Sequence, residues 1–275
     1  MKKPIKPVKA YKNIEFLNSA DARTIRILSE YYEPKSRFEK YKIVDTIVFF
    51  GSARIISRKD ALKLVNQAKK GKGAAAKKKF DRAVKLLEMS KYYEDAVELS
   101  RKLTEWSMKL DGNGNRFIIC TGGGPGIMEA ANKGAYLAGG HSIGFNISIP
   151  YEQYVNKYVD PKLAFEFHYF FMRKLWFVYL AKALIVFPGG FGTMDELMEV
   201  LTLVQTKKVV KKMKIIIYDE AYWRKIINFD ALIEHGTISK EDMKLFDFCN
   251  SIDEAFEKIT EHFKKYFLNN KKTRQ

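Results

Sequence analysis

The residues best able to do chemistry fall in two neighbouring stretches. Arg173 and Lys174 lie inside Phe170-Phe-Met-Arg-Lys-Leu-Trp-Phe-Val-Tyr-Leu180, a segment otherwise almost wholly apolar. An unpaired buried charge is very costly, so both cations demand a partner. A salt bridge would serve, as would a lysine reaching out to the surface. A bound phosphate is the sharper answer, above all for Arg173, whose planar guanidinium forks onto phosphate or carboxylate oxygens. Next, Ala183-Leu-Ile-Val-Phe187 reads as a buried strand and runs into Pro188-Gly-Gly-Phe-Gly-Thr-Met-Asp-Glu196. Leu197, Val200, Leu201 and Val204 then recur at helical spacing. Gly189, Gly190 and Gly192 let the backbone approach a ligand closely, and the first helical turn, with Thr193, offers unpaired N–H groups to an anion. Glu196 has two roles open to it. Thr193-Met-Asp-Glu196 is the pattern of a capping box, and a carboxylate one turn from a phosphate cradle is also placed to stabilise a sugar cation or activate water.

Two more strands end in chemistry-bearing turns. Asp45-Thr-Ile-Val-Phe-Phe50 leads into Gly51-Ser-Ala-Arg54, which puts Gly51, the Ser52 hydroxyl and free amides at the carboxyl edge of a sheet, where open α/β sheets bind ligands. Arg116-Phe-Ile-Ile-Cys120 leads into Thr121-Gly-Gly-Gly-Pro-Gly-Ile-Met-Glu129, whose Gly122, Gly123 and Gly124 are candidates to hold a ligand. This second loop departs from the dinucleotide fingerprint, because Ile127 stands in the place of the third glycine. Nor does an acidic residue close the next strand, His141 to Ile149, to hold a ribose. A mononucleotide fits two short glycine loops better than a nicotinamide dinucleotide does. The polar, aromatic loop Pro150 to Tyr158 follows at the same edge and adds Glu152 as a candidate contact.

The elements that must position these residues alternate strand and helix from Asp45 to Tyr218, with further strands at Ala164–His168 and Lys214–Tyr218. The fold class is therefore α/β: a Rossmann-like, mostly parallel sheet with helices on both faces. Residues 1–40 read as an N-terminal extension with a short helix ending near Pro34. Residues 41–268 read as one nucleotide-binding domain, with a long helical insert over 59–110 broken at Gly71-Lys-Gly73. Part of that insert is expected to project or to pack at a subunit interface. After Tyr218 the reading is helical to Phe267, and residues 269–275 form a basic tail.

Composition narrows the function classes. The chain has 275 residues, 47% hydrophobic and 14% aromatic, which supports a substantial core and excludes disorder. Cys120 and Cys249 are far apart in apolar settings, so no disulfide framework is expected and a cytoplasmic location is the default. His141, His168, His235 and His262 have no metal-ligand spacing, and no metal is expected. No apolar run approaches the roughly 20 residues that span a bilayer, so no membrane partner is expected. The net charge of +17 sits in scattered lysine blocks. Solvated surface lysine explains them better than a nucleic-acid site does, although the field would attract a phosphorylated small molecule.

Taken together, Pro188 to Glu196, Met172-Arg-Lys174, Gly122-Gly-Gly-Pro-Gly-Ile-Met128 and Phe50-Gly-Ser-Ala-Arg54 resemble the LONELY GUY family, whose members are often mislabelled lysine decarboxylases. The resemblance runs from about residue 45 to about 220, and the chain is most similar to the longer bacterial members. It implies a Rossmann-like homodimer, without cofactor, that hydrolyses the N-glycosidic bond of nucleoside 5′-monophosphates to free base and ribose 5-phosphate. AMP and cytokinin nucleotides are the substrates it implies. By motif position it makes Arg173 and Glu196 the catalytic pair and Gly189, Gly190, Gly192 and Thr193 the phosphate cradle. It also matches Thr202 to a family threonine. A decarboxylase is disfavoured, since nothing marks a Schiff-base lysine for pyridoxal phosphate. The rival from another class is a non-catalytic carrier of nucleotide or molybdenum cofactor on the same frame.

Overall fold

The computed structural model describes residues 5–111, 115–149 and 154–268. In chain order its helices are α1 (Ile14–Asn18), α2 (Arg23–Lys40), α3 (Arg58–Ala68), α4 (Ala74–Asp111), α5 (Ile127–Leu137), α6 (Phe170–Tyr179), α7 (Phe191–Gln205), α8 (Glu220–Ile226), α9 (Phe229–Glu234) and α10 (Ile252–Phe263). The strands are β1 (Thr46–Phe50), β2 (Ile118–Thr121), β3 (Ser142–Ile147), β4 (Ala164–Phe167), β5 (Ala181–Val186), β6 (Lys214–Tyr218) and β7 (Asp247–Cys249). All seven pair in parallel in the order β4-β3-β2-β1-β5-β6-β7. The α/β, Rossmann-like reading holds, with helices on both faces.

Parallel strands buried on both faces read as continuous apolar runs, and β1 shows why. Val48 and Phe50 face one core with Phe38, Trp176, Leu197 and Trp223, from α2, α6, α7 and α8. Ile47 and Phe49 face the other with Tyr92, Leu99, Ala130 and Phe263, from α4, α5 and α10. Strand order reverses at β1, which pairs with β2 on one side and β5 on the other. This is the switch point at which open sheets leave a crevice.

Two local readings are corrected. The helix expected to end near Pro34 runs through it to Lys40. Proline removes the N–H that would bond the carbonyl four residues back. Here that carbonyl, Glu30, instead accepts the Trp176 indole N–H at 2.9 Å. The Glu30 carboxylate in turn accepts the backbone amides of His168 and Tyr169, at 2.7 and 3.2 Å, and so holds the segment that leads into α6. Secondly, β7 breaks the helical run expected after Tyr218. Three residues at a sheet edge carry too short a pattern to be read locally. In the insert, the break at Gly71–Gly73 separates α3 from α4; the first turns of α4 stand exposed, while Tyr92, Tyr93, Ala96, Leu99 and Leu103 farther along are buried against the sheet side.

Candidate active site

The loops that leave β1, β2 and β5 meet in a cleft of about 660 Å³. Their contacts are close. The Ser52 amide donates to the Pro188 carbonyl (3.0 Å) and the Ile127 amide to the Ser52 carbonyl (3.1 Å). A Cβ on Gly126 would lie 2.3 Å from the Ser52 carbonyl oxygen, at a φ of +74° that side chains seldom adopt. Gly51 abuts the Ile127 side chain in the same way. Ser52 is thus a linchpin between loops: its amide, expected to be free for a ligand, is already spent on Pro188.

The turn after β5 behaves differently. Helix α7 starts at Phe191 with Gly190 as its N-cap, and Met194 makes the first bond back, to Gly190 (3.0 Å). The first-turn amides therefore have no intrahelical acceptor, and Phe191, Gly192 and Thr193 all line the cleft. A Cβ on Gly189 would strike Thr193 Oγ1 at 2.1 Å, so the protein's own packing demands glycine there. At Gly190 and Gly192 nothing lies within 4 Å of where a Cβ would stand, and neither has a positive φ. The turn is braced from outside, for Tyr222 of α8 donates its hydroxyl to the Gly189 carbonyl (3.1 Å).

The capping box is not formed. Thr193 is the third residue of α7 rather than its N-cap, and no side chain caps the helix. Glu196, 7% exposed, instead faces Arg173 of α6, with Oε1 3.5 Å from Nη2. Burial pushes its carboxyl up to about 7, against the opposing pull of Lys174 and Arg173. Arg173 lies near the rings of Phe170 and Phe177, at 5.0 and 5.6 Å. Burial works against its charge too, offset by Glu196 and Asp195. Its buried Nε has no hydrogen-bond partner among the described residues.

Adjacent residues on a helix point about 100° apart, and the two cations part company accordingly. Lys174 turns from the cleft to Asp195 (2.8 Å) and Glu199 (2.7 Å) on α7. Burial opposes its charge, yet those two partners outweigh it and raise its pKa. Thr202, which donates to the Met198 carbonyl, lines the same neighbouring groove as Lys174. The structure does not bring Lys174 or Thr202 to the glycine turn, and Glu152 lies outside the described residues.

The second glycine loop is held by groups that the motifs did not reveal. Thr121 Oγ1 accepts the Gly123 amide (2.9 Å) and donates to Asn132 (2.8 Å). The Asn156 amide group reaches the carbonyls of Gly123 and Gly124 (3.0 and 3.1 Å) and Asn132 Oδ1 (2.9 Å). Gly122 faces the cleft with Met128, and a Cβ there would stand 4.0 Å from Arg173 Nη1. Gly123 and Gly124 therefore serve to fold the loop that presents Gly122. An asparagine in the β3–β4 connection was the only local signal for this brace.

The chain matches the family model described as "Possible lysine decarboxylase" over residues 128–259. A probable cytokinin riboside 5′-monophosphate phosphoribohydrolase from Oryza sativa subsp. japonica is 27% identical over 60% of this chain and 68% of its own length. A cytokinin riboside 5′-monophosphate phosphoribohydrolase from Arabidopsis thaliana is 26% identical over 63% of this chain and 76% of its own. Among solved structures, a Moco carrier protein from Chlamydomonas reinhardtii aligns over 80% of this chain and 98% of its own. Its TM-score is 0.45 at 17% identity, too distant to bear on function.

Proposed function

We propose, from the resemblance to the LONELY GUY proteins that the motifs carry and the curated relatives match, that this chain hydrolyses nucleoside 5′-monophosphates to free base and ribose 5-phosphate. The observation that carries the reading is the pair Gly190 and Gly192. Nothing lies within 4 Å of where their Cβ atoms would stand and both line the cleft, so the turn is open to a ligand that comes close against the backbone. A phosphate against the first turn of α7 meets that description. The orphaned Nε of Arg173 adds a second unmet donor in the same cleft.

With the phosphate at Gly190–Thr193, the ribose extends along α7 toward Glu196 and Arg173. Cleavage of the glycosidic bond passes through an oxocarbenium-like sugar. The electron pair of the breaking C1′–N bond leaves with the base, which takes up a proton from solvent, and a water oxygen bonds to C1′. Glu196 in its ionised form takes that water's proton and offsets the cationic sugar. Arg173 holds Glu196 in place and favours its ionised form. Acid–base help from one group supplies roughly 10²–10⁴ in rate, so positioning through the phosphate contributes much of the remainder.

AMP and cytokinin riboside monophosphates are the candidate substrates. A homodimer is part of the reading, and the face built by α6 and α7 suits it, since Phe171, Leu175, Tyr179 and Val210 are exposed there around an apolar groove. Incubation with AMP and with isopentenyladenosine 5′-monophosphate, followed by chromatography of base and sugar phosphate, tests the activity. Release of base by the wild type and its loss in Glu196→Ala is the expected result. Nucleotides bound and recovered intact would mean a carrier. Light scattering reads the dimer.

A further inference from the structure

The cleft holds one cation to which the reading above gives no task. Arg54 stands on the loop after β1 and lines the same cleft as Gly190, Gly192 and Thr193. Its own amide donates to Ser52 Oγ (3.1 Å), which shapes the loop. Ser52 is bonded to the Pro188 carbonyl. Arg54 is thereby tethered, two residues away, to the start of the glycine turn. Its side chain is exposed and, among the described residues, its guanidinium has no hydrogen-bond, carboxylate or ring partner. The neighbouring cations are engaged: Arg173 faces Glu196, Lys174 faces Asp195 and Glu199, and Lys91 faces Asp219. A bare arginine on open surface needs no explanation. On the wall of the cleft that the acceptor-less helix amides also line, it adds a full charge, uncommitted among the described residues, to a partial-charge anion cradle.

We propose that Arg54 binds the 5′-phosphate of the substrate, sharing its oxygens with the first-turn amides of α7. The identity of the substrate rests on the hydrolase reading; the anion site does not. The two arginines of the cleft then divide the work. Arg173, fixed between two rings and Glu196, belongs to the sugar end, and Arg54 at the mouth captures the phosphate.

The test compares wild type, Arg54→Ala and Arg54→Lys. Loss of one charge-assisted contact raises KM for the cleaved nucleotide roughly 10- to 100-fold. It leaves kcat within about 3-fold, because the contact is made equally in ground and transition states. Calorimetric binding of ribose 5-phosphate weakens by a similar factor, binding of adenosine does not change, and Arg54→Lys recovers part of the loss. The residue is exposed, so the melting temperature should hold. Unchanged KM and unchanged ribose 5-phosphate binding in Arg54→Ala overturn the assignment and leave the hydrolase reading standing. An equal weakening of adenosine binding also overturns it. Arg54-dependent binding of ribose 5-phosphate without cleavage of any nucleotide keeps the anion site and overturns the hydrolase. A wild type that binds no ribose 5-phosphate overturns the anion site and leaves the hydrolase to the base-release assay.

Discussion

Gly192→Ala separates packing from ligand binding at a single atom. The added methyl meets nothing within 4 Å, and the residue is the second of α7, with helical backbone. Alanine in place of glycine favours a helix by about 1 kcal/mol in its interior. In the first turn about half of that is a fair expectation. For a chain of this size 1 kcal/mol moves the melting temperature by about 2–4 °C, so the variant should melt about 1–2 °C higher than wild type. The same methyl stands on the cleft wall, where the backbone would meet phosphate oxygens. Displacing one charge-assisted amide contact costs about 1.5–3 kcal/mol, or roughly 10- to 150-fold in KM. Differential scanning fluorimetry and initial-rate kinetics on nucleoside monophosphates read the two effects separately. Gly189→Ala is the control: its methyl would lie 2.1 Å from Thr193 Oγ1, so it should lose stability as well as activity. A Gly192→Ala protein with the wild-type KM would refute the cradle, whatever its stability.

Glu196 and Glu30 supply the remaining predictions. With its carboxyl pushed up to about 7 from 4.5, Glu196 stays protonated in the native state while the unfolded chain ionises, so stability falls as pH rises across that window. Relative to wild type, Glu196→Gln should therefore gain up to about 3 kcal/mol between pH 4.5 and pH 7.5 in urea titrations; a pH-independent difference would contradict the burial of this group. If the ionised form does the chemistry, kcat/KM should rise with pH through an apparent pKa near 7, and a profile that falls there would instead assign Glu196 as the acid. Glu30→Ala removes two bonds from a carboxylate to backbone amides just ahead of α6 and should cost about 1–3 kcal/mol. Hydrogen exchange at the amides of His168 and Tyr169 should accelerate, and unchanged protection would show that the Glu30 carboxylate does not hold them.

The legible parts of this molecule are those whose cause is local. An apolar run such as Thr46–Phe50 is buried on both faces because a parallel sheet is covered on both, and its period needs no distant information. The glycine turn after β5 is legible for the same reason. Pro34 misleads because its cost is met by Trp176, far away in sequence, and no local rule reports such a partner. Arg173 and Lys174 look alike in a string of letters, whereas the helix sends them to different cavities. The capping-box pattern at Thr193 was present, but the helix had already begun two residues earlier, at Phe191, and the motif never came into register. Asn156 and Tyr222, which brace the glycine loops, carry no motif at all: each is defined only by the backbone atoms that it meets.

The place of β1 in the sheet also bears on how the protein is made. Thr46 pairs with Ala181, about 135 residues later. At a translation rate of roughly 5–20 residues per second, the β5 side of β1 stays without its partner for roughly 7–27 s after β1 itself is synthesised. In that interval a largely apolar strand edge is available to other nascent chains. Helix α4 and strand β2 emerge first and can cover one face and one edge. The other edge must wait for the segment that ends in the glycine turn. The cleft is thus completed by the same event that covers this strand edge, and a ligand cannot be bound there until the edge is gone.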